Sequence, residues 1–384
     1  MRYNLEVKLI YSYTTYFITM CISDYILVKK TITNQIKTKL MQKPILGTDF
    51  QIPGLTKIHT GKVRDVYTHQ HKGKTYLFMV ATDRISAFDK VLPKGIPFKG
   101  QVLNQIASKF LDEADECGIC NTWKLNEIHP MVTVGIMTDP LKVEMIVRGR
   151  LTGSLWRLYE EGAREVCGIT LPDRMKEWDE FPDGPIVTPT TKAEEGHDLN
   201  ISPEEIVAQG LATWEQYQEM EEISLQLFEL GTSIATQQGL ILVDTKYEFG
   251  VYEDRVYLID EIHTPDSSRY LYIIGFEESL KAGKKPHSLD KEFVRQWLMN
   301  HGFKGDPGQE MPEIPDGIVQ EISDRYMELY QNVMGEKLEQ TPYSLEDIEA
   351  AIKDFIVALD DMEEPDEMPE EVVEEPDETS ETKN

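Results

Sequence analysis

The sequence predicts an α+β fold. Two stretches read as antiparallel hairpins, residues 61–83 and 240–263, and apolar residues take helical spacing after Ser202 and again beyond Pro286. At 384 residues the chain can bury a substantial core and is long enough for two or three structural units.

Residues 9–23, with Leu9, Tyr11, Phe17 and Met20, form an apolar run too short to cross about 30 Å of hydrocarbon. It is broken by Asp24, and no small-residue cleavage site follows. Met41 stands immediately before the first segment with domain character, so residues 1–40 are expected to lie outside the core, either upstream of the working start or as a loosely held extension. The first hairpin then runs through strand 62–67, a His71-Lys72-Gly73-Lys74 turn and strand 75–81. A helix is expected over residues 102–116 and a strand over 141–150. Residues 182–200 hold three prolines and two glycines without apolar period and read as a long loop, a kind that usually carries function. Ser202-Pro203-Glu204-Glu205 starts a helix, with a capping serine, proline at the first helical position and glutamate at the third. Tyr217, Met220, Ile223, Leu227, Leu230 and Ile234 continue a stripe of core spacing. The second hairpin pairs residues 240–250 with 255–263, and further helices are expected near 289–300, 316–334 and 344–358. Beyond Asp360 the chain is acidic and aperiodic, a composition that predicts disorder.

The formal net charge is −29, which excludes a general nucleic-acid binder, since such affinity comes from Lys and Arg neutralising phosphates. Residues 360–384 contribute −12 and residues 1–40 contribute +4, so residues 41–359 are acidic in their own right at −21. Any phosphate must be met by a local basic pocket. The four cysteines are too few for a disulfide framework and fit a reducing compartment. Cys117-Gly-Ile-Cys120 has the spacing of half a zinc site, but no second pair follows, and the pair reads as ordinary thiols.

No GxGxxG, P-loop or protein-kinase signature occurs; Gly73-Lys74-Thr75 has Thr68 where a P-loop needs its first glycine. In Gly61-Lys62-Val63-Arg64 a glycine enters a strand and Lys62 and Arg64 share a face, either a phosphate cradle or a wet strand face. Arg148 and Arg150 alternate with apolar residues ahead of Thr152-Gly153-Ser154, either two guanidinium forks and a hydroxyl aimed at an oxyanion or a solvated strand end. Thr188 through Asp198 offers hydroxyls, Lys192 and His197, either for a polar substrate or as plain loop. The strongest segment is residues 242–250, where period two puts Asp244, Lys246 and Glu248 on one face and Val243, Thr245, Tyr247 and Phe249 on the other. With Asp260 on the partner strand, that face suggests carboxylates for Mg²⁺ and a lysine for a phosphate or carboxylate. Asp260 joins it if paired residue numbers sum to an even value, as with Lys246 opposite Asp260.

These segments, in this order, resemble the SAICAR synthetase family, the phosphoribosylaminoimidazole-succinocarboxamide synthases. The matching text is residues 61–67, 81–89, 147–154, 188–198 and 242–250, then Asp260-Glu261 and Asp266-Ser267-Ser268-Arg269. The resemblance implies a two-lobed enzyme: an N-terminal antiparallel β lobe over ATP (41–140), an ATP-grasp-like catalytic lobe (141–286), C-terminal helices (287–359) and an acidic tail (360–384). It implies an ATP-dependent ligase of purine synthesis, joining L-aspartate to 5-amino-1-(5-phosphoribosyl)imidazole-4-carboxylate through an acyl phosphate. ATP, aspartate and the imidazole nucleotide would be its partners, Mg²⁺ its cofactor and the cytoplasm its compartment, with no nucleic acid or membrane. By the same resemblance Gly61, Lys62 and Arg64 face the ATP phosphates, and Glu248 and Asp260 are the metal acids. Arg148, Ser154, Lys246 and Arg269 match nucleotide contacts, and Asp244 and Lys246 are expected to be catalytic. Asp83, Arg84, Ser86 and Lys192 are expected to bind substrate, and with His197 they belong to family motifs. A carboxylate would have to expel oxide, so ATP must first make it an acyl phosphate, a task of positioning and charge neutralisation that needs no nucleophilic side chain. The alternatives are a small-molecule kinase with the same cradle and an inactive nucleotide sensor.

Overall fold

In the computed structural model, residues 43–192, 198–289 and 291–361 are described. The expectations for residues 1–40, for His197 and for most of the acidic tail lie outside them. Two sheets organise the chain. The first is five-stranded, in the spatial order Leu55–Thr60, Arg64–His71, Lys74–Ala81, Val132–Ile136, Lys124–His129. The second is centred on two long antiparallel strands, Asp139–Arg148 and Leu240–Tyr252. Arg255–Ile259 and Ser268–Tyr272 extend it beside Leu240–Tyr252, and Ile186–Val187 and Thr190–Thr191 extend it beside Asp139–Arg148.

The first hairpin forms as expected because Lys72 and Gly73 both take positive φ, 46° and 78°, closing a two-residue turn whose twist suits the strands. In the second hairpin Glu253 and Asp254 do the same at 49° and 59°, closing on the pair Tyr252–Arg255. That turn corrects the expected register: Glu248 lies opposite Ile259, an odd sum. The even-sum pairing would need a turn of a different length, because turn type sets hairpin register.

The helix expected at 102–116 runs over Lys99–Glu116. Ser202 caps its helix through a complete capping box with Glu205, but that helix ends at Ala208. Gly210 is left-handed, and a second capping box, Thr213 with Gln216, opens the separate helix Trp214–Gln237. Its buried face follows Leu227, Phe228, Gly231 and Ala235, while Leu230 and Ile234 are only half-buried. Residues 182–200, expected as loop, contain two two-residue strands, too short to have a period of their own, which exist by pairing with Asp139–Arg148.

The larger core packs Val143, Met145, Val147, Tyr247 and Phe249 against the helices Lys99–Glu116, Trp214–Gln237 and Asp316–Met334. A second core lies on the first sheet, where Phe78, Val80, Val132 and Val134 meet Ile348, Ile352, Phe355 and Leu359 of the last helix, Leu345–Asp361. The chain's final described helix thus returns to its first sheet. No helix among the described residues is long and apolar enough to cross a membrane.

Candidate active site

Cross-strand register builds the site. On the polar face of the second sheet, Arg148, Asp244 and Arg269 stand opposite one another on three neighbouring strands. Four residues along, Glu248 stands opposite Glu144, and Glu144 opposite Thr190. Lys246 lies between these rows, opposite Ile146. The other face, with Val243, Thr245, Tyr247 and Phe249, is buried in the protein.

The first row carries an excess of positive charge. Arg269 grips Asp244 with two guanidinium nitrogens, its Nε at 2.7 Å, and Arg148 Nη1 lies 3.7 Å from the same carboxylate. Arg148 Nε donates to Thr188 Oγ1 at 2.8 Å, and its Nη2 reaches Ser154 Oγ at 3.4 Å. Gly153 is required there. A Cβ on it would lie 2.6 Å from the Arg269 guanidinium, and its φ of 64° is left-handed. Burial would raise the Asp244 carboxyl, but Arg269 and Arg148 together hold it below its ordinary range. This row forms one wall of a cleft of about 1170 Å³, also lined by Lys246, Lys291 and Arg295.

The second row is acidic. Lys246 Nζ donates to Glu144 at 2.6 Å and also to Glu248, which receives Lys192 on its other oxygen. Burial opposes the charge on Glu248, but Lys246 and Lys192 outweigh it and hold the carboxyl down at about 2. Lys246, itself desolvated, is held well above the ordinary ammonium range by Glu248 and Glu144. Burial pushes the Glu144 carboxyl up in spite of Lys246. Asp260 follows the end of its strand at Ile259 and takes a φ of 59°, so strand alternation no longer governs its side chain. Its carboxylate lies 3.7 Å from Arg64 Nη1, and burial followed by repulsion from Glu248 raises it to about 6. Asp260 is therefore tied to the group through Arg64, which it shares with Glu261, despite the odd register.

The first sheet meets this group through Arg64, whose Nη2 donates to Glu261 Oε2 at 2.5 Å, an oxygen that also accepts from Thr264 Oγ1 at 2.6 Å. Lys62 is exposed and pairs with Asp89. Gly61 donates its amide to the Arg64 carbonyl at 2.7 Å, a tight turn that brings Lys62 and Arg64 round. Asp83 and Arg84 are buried beneath them. Asp83 accepts the amides of Ile45 and Gly100, while Arg84 donates to the carbonyls of Leu46, Gly61 and Lys62 and to Asp65. They frame the loop that holds Lys62 and Arg64. Ser86 accepts from Lys291 Nζ at 3.2 Å.

Glu144 and Lys291 are absent from the sequence-derived candidates, and Thr188 and Asp266 stand there only inside motifs, without roles of their own. Glu144 had a signal, since it shares strand parity with Arg148; the places of Asp266 and Lys291 follow from tertiary packing alone. Among the described residues no group of three or more His, Cys, Asp or Glu is arranged to hold a metal ion.

A model of the SAICAR synthetase family matches residues 57–311. The phosphoribosylaminoimidazole-succinocarboxamide synthase of Bacteroides thetaiotaomicron is 56% identical over 317 residues, 82% of this chain and 99% of that protein. The enzyme of the same name from Cytophaga hutchinsonii is 51% identical over 315 residues, with 82% and 99% covered. Among solved structures, the Saccharomyces cerevisiae SAICAR synthase complexed with SAICAR is similar with a TM-score of 0.65 at 29% identity, over 77% of this chain and 99% of that one. A SAICAR synthetase in complex with ADP is similar with a TM-score of 0.56 at 25% identity, over 74% and 100%. By the extent of these matches, the chain belongs to the SAICAR synthetase family.

Proposed function

We propose that this chain is the ATP-dependent ligase that condenses L-aspartate with 5-amino-1-(5-phosphoribosyl)imidazole-4-carboxylate, giving SAICAR, ADP and phosphate in the cytoplasm. The observation that carries the reading is the division of one sheet face into a cationic row and an acidic group with Lys246 between them. The cationic row suits an anionic nucleotide, through the forks of Arg148 and Arg269. The acidic group suits a metal–nucleotide. Glu144, Glu248, Asp260 and Glu261 face Lys192, Lys246 and Arg64, so one negative charge is left over, consistent with the raised Asp260 carboxyl.

That surplus fits Mg²⁺, which commonly takes one or two protein carboxylates and completes its shell with phosphate and water, so a full protein cage is not required. Glu248 and Asp260 would hold it, and when bound it would supply charge neutralisation at the phosphates. Arg64 pairs with Asp260 and Glu261, and Gly61 and Lys62, on the same turn, would add backbone and a cation for the ATP phosphates. Lys246 would hold the imidazole carboxylate as one of its oxygens forms a bond to the γ-phosphorus and ADP departs. Asp244 would keep Arg148 and Arg269 in register on the nucleotide. The aspartate amine then attacks the acyl carbon, phosphate leaves with the bonding pair, and the nitrogen proton passes to solvent or phosphate. Arg148, Arg269, Ser154, Lys192 and Ser86 would bind and orient; Asp83 and Arg84 would contribute by framing the loop.

An ADP-release assay with each substrate omitted in turn tests this. Turnover should require ATP, aspartate and the imidazole nucleotide together. ATP consumption at the full rate without aspartate would assign a kinase instead.

A further inference from the structure

Asp266 lies buried beside the cleft, where two donors bond it and a third cation stands nearby. Its Oδ2 accepts from Lys99 Nζ at 2.8 Å, and its Oδ1 accepts from Tyr326 Oη at 2.6 Å. Lys291 Nζ stands 3.7 Å from Oδ2, outside hydrogen-bond reach, and donates to Ser86. Asp266 hydrogen-bonds only one of its two ammonium neighbours, and Glu261, the other carboxylate acting on Lys291, is bonded by Arg64; burial separates the two ammonium groups. The Lys99 side chain has 0% exposure, whereas Lys291 keeps 15% and lines the cleft with Arg269 and Arg295. Burial, only partly opposed by Asp266, lowers the Lys291 ammonium from its ordinary range, as expected of a cation that its carboxylate neighbour does not fully satisfy.

Tyr326 sits on the helix Asp316–Met334, beyond the segment 57–311 that matches the family model. Its hydroxyl occupies the Asp266 oxygen that Lys99 does not. Without it, Oδ1 would be open to Lys291, and a buried carboxylate oxygen that has lost its donor draws the nearest cation.

We propose that Tyr326 is a positioning residue of the ligase reaction: with Lys99 it saturates Asp266, and so keeps the Lys291 ammonium turned into the cleft for an anionic group, carboxylate or phosphate, of a substrate other than ATP. The inference rests on the reading of this cleft as the site of the imidazole nucleotide and aspartate.

The test is initial-rate kinetics on the full chain with each of the three substrates varied, for the wild type, Tyr326→Phe, Lys291→Ala, the double variant and Arg148→Ala. Tyr326→Phe should raise the KM of either the nucleotide or aspartate about tenfold, leaving kcat and the KM for ATP within about threefold. The substrate that moves identifies the anion. Lys291→Ala should raise the same KM, and the double variant should be no worse than Lys291→Ala, because both changes remove one ammonium from one place. Unchanged KM values for Tyr326→Phe, equal changes for all three substrates, or additive effects in the double variant would each overturn the inference. If Arg148→Ala also leaves the nucleotide KM unchanged, the reading of the cleft falls; if it raises that KM while Tyr326→Phe does nothing, only the role of Tyr326 falls.

Discussion

Asp260 is tied to the acidic group through Arg64, at the point where it leaves its strand. The residue takes a left-handed φ of 59°, a conformation that costs a non-glycine residue free energy and tends to persist at functional positions. Its carboxyl is raised to about 6 because burial and Glu248 both oppose its charge, so a cation shared with Glu248 would relieve it. Glu248→Gln and Asp260→Asn are each expected to lower kcat by about two orders of magnitude, about 2.7 kcal/mol, with the melting temperature little changed. Near-normal turnover of Asp260→Asn at limiting Mg²⁺ would remove the metal assignment and move attention to Glu261. Arg148→Ala is expected to raise the KM of the imidazole nucleotide by about 1.5–3 kcal/mol, the range for a hydrogen bond to a charged group. Its effect on the KM for ATP should be far smaller; an equal effect on both would indicate misfolding. Arg148 was legible in the sequence because it alternates with apolar neighbours, but its pairing with Asp244 was not.

Between elements, the helix Trp214–Gln237 packs on the second sheet through a gap left by Gly231. A Cβ there would lie 2.3 Å from the His263 ring, so the absent side chain is what admits the imidazole. Gly231→Ala should lower the melting temperature even though alanine favours helix by about 1 kcal/mol, since overpacking a buried contact typically costs about 1–3 kcal/mol. A rise in melting temperature would show that the ring moves aside freely. His263 Nε2 donates to the Leu227 carbonyl at 3.1 Å and lies 3.2 Å from Tyr247 Oη, which makes it the joint between this helix and the sheet. Burial lowers its pKa to about 4 from an ordinary 6.5. Between those values the unfolded chain binds more protons than the folded one, so this contribution is fully present above about pH 6.5 and is lost as the pH falls toward 4. On the order of 2 kcal/mol should be gone at pH 5. Urea unfolding at pH 7.5 and pH 5 measures it, and His263→Gln should shrink the difference. If the variant keeps the wild-type pH dependence, another group is responsible.

At the scale of the whole molecule the chain closes on itself, with Ile45 near one end of the described residues and Leu359 near the other in the same core over the first sheet. A chain trimmed to residues 41–359 is therefore expected to keep full activity and solubility. Removing residues 345–359 as well should expose Phe78, Val80 and Val132 and bring aggregation, measured by light scattering and ADP release. Loss of activity in the 41–359 chain would show that an end contributes to the core or the site. The sequence by itself determined both hairpins, the parity that gathers Asp244, Lys246 and Glu248, the main helices and, through its motifs, the family. Those are local signals: period two, period 3.6, caps and turns, each carried by residues a few positions apart. Tertiary structure alone decided which rows form across the sheet, the left-handed exit that turns Asp260 inward, and the seating of Lys291 beside Asp266 under Tyr326. Each of these depends on pairing or packing between segments distant in the chain, where turn geometry and side-chain volume select among registers that periodicity leaves equal.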